Sequence, residues 1–346
     1  MSIGVVAGLF ALSKDIRKQP GSFLREFPPH PVLEGQVFDL GYNSYYIAGA
    51  TEHHVYLANY TAPLHLLVIN TVQLDTQHVK LDVRGIEHQK VWAVRVKVDS
   101  PYYYVTDGAV PFIYRGNVHD WKAERYTYDR AYFQDIVPIT NESFYIRALG
   151  KPVRENMLGK VTTVAPHLEM KPGILRKQVD GIFCTDGMMQ YNGARNELMY
   201  LYRYRNECIV MDTNLHVLRK LHTIDTTTHA KIEVGTIEST GETKFASPQR
   251  VVNKHCAVWH HLLFVNSVLL AKNEPIIAHD HATVIDVYDI GTRAYRFSFY
   301  IYDYQGQEKL RMFSVVGNKL YALHDTHLQV WSLETRYFGN IMARLP

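Results

Sequence analysis

The chain holds 346 residues, more than one ordinary domain needs, and 47% of them are hydrophobic against 21% charged, which supplies a large core and excludes a disordered or collagen-like chain. Its 37 basic and 34 acidic residues leave a formal charge of +3 with no long basic run, so the electrostatic footprint of a nucleic-acid binder is missing. The 24 tyrosines and 18 histidines suit half-buried strands and either hydrogen-bonded packing or metal ligation.

Residues 3–12 read IGVVAGLFAL, without charge, and a basic segment follows at once. The run falls short of the ~20 apolar residues that span a bilayer. It fits the core of an export signal better, although the basic residues that should precede such a core are absent. The two readings are the back half of a signal or anchor, and a short hydrophobic helix lying against the protein. Pro20, Gly21, Pro28, Pro29 and Pro31 make the next stretch a linker and favour the first reading. Residues 1–35 are therefore read as an export or anchor segment with its linker, and 36–346 as a single domain. The expected location is the bacterial periplasm or envelope, exported or tethered through residues 3–12.

From residue 36 onward, short alternating or apolar runs rich in Val, Ile, Tyr and Phe are punctuated by Gly, Asn, Asp and Pro. That pattern predicts an all-β fold. An aromatic or aliphatic strand recurs as VYLANY at Tyr56, YYYVTDG at Tyr103, SFYIRA at Tyr145, LMYLYRYRN at Tyr200, LLFVNS at Phe264 and LYALHD at Tyr321, at intervals of 42 to 64 residues. Such a period suits four-stranded propeller blades with loop insertions; stacked sandwiches are the competing architecture. The units run over residues 44–84, 93–129, 135–170, 178–224 and 231–301, and the last offers only three strands, in KLRMFSV, NKLYALH and LQVWSL. QVFDL at 36–40 supplies the missing outer strand and closes the ring, leaving no open sheet edge. The predicted fold is a six-bladed β-propeller closed by its N-terminal strand.

The six units, the aromatic strands YYYVTDG and LMYLYRYRN and the export-like segment resemble the six-bladed, TolB-like propellers of bacterial envelopes. The resemblance covers residues 36–335 as architecture and carries no catalytic residue over. It implies binding of proteins, glycans or small ligands, with only some branches being enzymes.

In MYLYRYRNE the tyrosines Tyr200, Tyr202 and Tyr204 should point one way and Leu201, Arg203 and Arg205 the other. Two arginines on one strand face call for carboxylates such as Asp180, Asp186 or Asp212, or for an anionic ligand. Arg115, Arg147 and Asn206 join Arg203 and Arg205 as candidate channel residues. His279 and His281 at i, i+2 on a strand could share a face and hold zinc. Asp107, Asp186, Asn206, Asn266 and Glu274, each near a strand end, could supply the oxygen ligands of calcium. Cys184, Cys208 and Cys256 are too scattered for a disulfide framework or a CxxC motif and read as small buried hydrophobes, with a Cys184–Cys208 bridge open in an oxidising compartment. Neither a Gly-x-Ser-x-Gly elbow nor a phosphate-binding glycine loop is present.

The leading expectation is a noncatalytic binding scaffold with a protein or carbohydrate partner and no cofactor. The alternative is a hydrolase of the calcium-dependent lactonase kind, or an oxidoreductase, that uses calcium or zinc on a small oxygenated substrate in the channel.

Overall fold

A computed structural model describes residues 21–128, 131–150, 154–237 and 242–339; residues 3–12 lie outside these. Six antiparallel sheets follow one another along the chain as the blades of a β-propeller. Blade one comprises Tyr45–Ala50, His54–Asn59, His65–Asn70 and Asp75–Lys80. Blade two comprises Arg95–Asp99, Tyr102–Asp107, Phe112–Asn117 and Lys122–Tyr128, with Asp82–Val83 added in parallel to its outer edge. Blade three is built from Asp135–Thr140, Ser143–Leu149, Asn156–Thr162 and Leu168–Lys171, and blade four from Gly187–Asn192, Glu197–Tyr202, Glu207–Asp212 and Val217–His222. Asn253–Trp259, Leu262–Ser267, Ala282–Asp289 and Ala294–Tyr302 form blade five. Blade six takes Met312–Val316, Lys319–Leu323 and His327–Leu333 from the C-terminal end and Val32–Asp39 from the N-terminal end.

The ring therefore closes as expected: Val37 pairs with Gln329 and Phe38 with Leu328. The closing strand starts at Val32, four residues before the predicted start, because Val32, Leu33 and Glu34 also pair with Leu333, Ser332 and Trp331 ahead of a bulge between Glu34 and Val37. All six recurrent aromatic or aliphatic strands are second strands of their blades. These strands are packed on both sheet faces, so they carry apolar residues without alternation, as in Val55, Tyr56, Leu57 and Ala58. Outer strands meet water, and in Asp75–Lys80 only Val79 is buried. One apolar cluster fills each of the six junctions between blades.

Three sequence expectations are corrected. The proline-rich stretch is docked on the protein: Phe23 and Arg25 are buried, and the carbonyl of Glu26 accepts from the Ser298 amide at the outer edge of blade five. Proline fixes φ without preventing packing, and the buried ion pairs of Arg25 hold the segment down. The fifth unit divides, since Val234–Ile237 and Glu242–Phe245 form a separate hairpin whose Phe245 ring packs against Phe183 and Tyr204. His279 and His281 lie on a short helix, Ile276–His281, where successive residues turn by about 100° and i, i+2 side chains diverge.

All three cysteines are free and buried. Cys184 lies in the cluster beneath the added hairpin, whereas Cys208 and Cys256 pack together at the junction of blades four and five. Burial raises the thiol pKa of Cys208, and that of Cys256 to about 12, so both are inert apolar fillers. No helix among the described residues is long and apolar enough to cross a membrane.

Candidate functional site: the channel mouth

First strands surround the channel, and the start of each first strand, the end of each second and the start of each third share one face, the mouth. At this face a cation spans every junction. Arg95 lies over the Tyr60 ring, 4.7 Å from its centroid, between blades one and two. Lys97 Nζ is 3.7 Å from Asp135 Oδ1 between two and three. Arg147 pairs with Asp186 between three and four, donating also to the Gly187 carbonyl at 3.0 Å. Arg203 Nε meets the other Asp186 oxygen at 2.6 Å and its Nη1 donates to the Lys254 carbonyl at 3.3 Å, between four and five. Lys254 Nζ lies 3.5 Å from the Leu310 carbonyl, between five and six. Arg311 donates to the Asn43 carbonyl across the closing junction, with Asp325 3.8 Å from its Nε.

The charges of this ring act on one another. Partial burial, and then the like charges of Lys309 and Arg311, lower the Lys254 pKa despite the opposing pull of Asp325 and Asp303. His255, on the first strand of blade five, packs edge-on to Phe313 with ring centroids 4.9 Å apart. Burial, followed by Lys97, Arg203 and Lys254, brings its pKa down to about 4, so the imidazole is neutral at pH 7. Between blades two and three a cleft of about 360 Å³ opens beside Arg95, Lys97 and Asp135.

Of the residues singled out from sequence, the structure brings Arg147 and Arg203 together on one carboxylate, Asp186. The second strand of blade four ends at Tyr202, so Arg203 and Arg205 leave the strand and part. Arg205 is buried, 3.4 Å above the Tyr202 ring, and donates to the Arg176 carbonyl at 3.0 Å. Asn206 is buried and holds the Asp225 carbonyl at 2.6 Å. Arg115 sits toward the opposite face, sandwiched between Tyr102 and Tyr126. These three thus stand apart from the Arg147–Asp186–Arg203 group.

The proposed calcium set is not assembled at one point. Asp107, fully buried, accepts from the amides of Trp92, Ala93, Ala109 and Val110. Glu274 is bound by Arg25, the Ala271 amide and the Tyr300 hydroxyl, and Asp186 by its two arginines. Asn266 is buried on the second strand of blade five. Carboxylates saturated by protein donors do not fit a calcium cage. No group of three or more His, Cys, Asp or Glu side chains among the described residues is placed to hold a metal.

Sequence reasoning missed Arg95, Lys97, Lys254 and Arg311. The signal is a basic residue near the start of a unit's first strand, in AVRVKV, NKHCAV and KLRMFSV, and the apolar alternation of those strands masks it.

No protein-family model matches the chain, and no curated protein matches it. Among solved structures, a DUF4221 family member from Bacteroides vulgatus is similar over 89% of this chain and 99% of its own, with 12% identity and a TM-score of 0.54. A streptogramin B lyase aligns over 88% of this chain and 98% of its own at 9% identity and a TM-score of 0.48. The former likeness extends to the fold alone.

Proposed function

We propose that the protein is a noncatalytic binding propeller of the TolB-like envelope type, whose channel mouth takes a ligand bearing carboxylate or phosphate groups. The observation that carries this reading is the cation at every blade junction of one face, with Lys254 held beside Lys309 and Arg311. Like charges that share one face repel, and an anion bridging them relieves the repulsion. Aromatic side chains exposed on the same face, Tyr42 and Tyr60 among them, add flat surfaces for stacking. The partner is therefore a negatively charged component of the envelope.

Calorimetric titration with oligogalacturonate and with inorganic phosphate tests the reading. Binding that falls at least tenfold in Lys254→Glu or Arg311→Glu, with the fold intact by circular dichroism, is the expected result. Equal affinity in wild type and both variants removes the mouth as the site.

A further inference from the structure

The path of the N-terminal segment joins two features that the sequence left apart. Gly21, the first described residue, donates its amide to the Leu270 carbonyl at 2.7 Å, and Ser22 meets the Thr226 hydroxyl at 3.3 Å. Both partners lie in loops of the mouth face, after the second strand of blade five and the fourth strand of blade four. From there the chain crosses blade five to the opposite face, where the Glu334 amide donates to the Pro31 carbonyl and the closing strand begins at Val32. Arg25 secures the crossing with a fully buried side chain paired to Asp286 and Glu274. Gly21, where the described chain begins, thus lies at the mouth face.

That face also carries most of the exposed aromatic groups. Trp92 is 79% exposed and Tyr132 62%, while Leu24, Ile276, Ile277 and Tyr302 stand out beside the point where the segment arrives. Exposed apolar side chains of the opposite rim, Val72, Leu74 and Val164, are aliphatic. Tryptophan and tyrosine favour the headgroup region of a bilayer, and cations near them favour anionic lipids.

We infer that the mouth face is a docking surface for an anionic bilayer, with lipid phosphates taking the cation ring and Trp92, Ile276 and Ile277 entering the headgroup layer. The inference rests on the anion-binding reading of the mouth and names the source of the anion. The propeller then lies with its channel axis upright on the membrane.

The full-length chain is to be mixed with vesicles of phosphatidylcholine alone or with phosphatidylglycerol, each with and without brominated acyl chains, and its tryptophan emission recorded. Preferential binding to phosphatidylglycerol is expected, with quenching by brominated lipid that disappears in Trp92→Phe, and a preference reduced at least fivefold in Lys254→Glu/Arg311→Glu. Co-sedimentation without Trp92 quenching overturns the inference, because the face then points away from the lipid. If oligogalacturonate still binds in that case, the anion reading stands alone; if it does not, both fall. Quenching that is indifferent to lipid charge and to the double variant overturns the assignment of the cations to lipid phosphates.

Discussion

His255 shows how the cation ring constrains its neighbours. Its imidazole is neutral because burial and then Lys97, Arg203 and Lys254 hold its pKa near 4, against 6.5 in the open chain. The unfolded chain takes up this proton between pH 6.5 and 4 and the folded one does not, so folding stability falls as pH drops through that window. At full depth the effect is about 3 kcal/mol. Urea unfolding of wild type and His255→Phe at pH 7 and pH 4.5 should show a steeper loss in the wild type; parallel curves would remove His255 from this account.

Arg203 and Arg205, two residues apart, have different work. Arg205 is buried on the Tyr202 ring, and Arg205→Ala should cost about 2–3 kcal/mol through the lost stacking and an orphaned Arg176 carbonyl. Arg203 is a partly exposed member of a pair that Arg147 also serves, and Arg203→Ala should stay within about 1 kcal/mol while weakening anion binding. Thermal unfolding and the oligogalacturonate titration separate the two.

At the scale of the element, blade packing depends on backbones that come very close. A Cβ at Gly49 would lie 2.0 Å from the Val98 carbonyl oxygen, so the first strands of blades one and two meet at a residue that only glycine can occupy. The closing strand has a different task. Val32–Asp39 covers the edge of His327–Leu333, and a chain shortened to begin at Gly41 would bare that edge to other copies. Such a chain should self-associate and lose its cooperative thermal transition, as light scattering and circular dichroism would record; a monomeric, fully folded product would show that closure is dispensable. The Pro-rich strap strengthens the same closure, because Arg25 ties the stretch ahead of the closing strand to blade five.

For the whole molecule, six junctions place six cations around one opening although the net charge is only +3. A local field of this kind is screened over a Debye length of about 8 Å at physiological salt. Affinity for oligogalacturonate should therefore fall about tenfold or more between 50 and 500 mM sodium chloride. An affinity independent of salt would mean that hydrogen bonding or stacking, and not charge, holds the ligand.

The repeat, its count and its closure were legible in the chain, since strands such as Tyr102–Asp107 and Glu197–Tyr202, packed on both faces, must be apolar throughout and turns must interrupt them at blade-sized intervals. Arg147 and Asp186 were legible as charged residues at strand ends, but not as partners. That pairing, the reach of Arg203 to the Lys254 carbonyl, and the docking of Gly21 on Leu270 were decided by tertiary structure alone. Each joins residues on different blades, and local pattern records which face a side chain takes within its own strand, not which neighbour the closed ring brings against it.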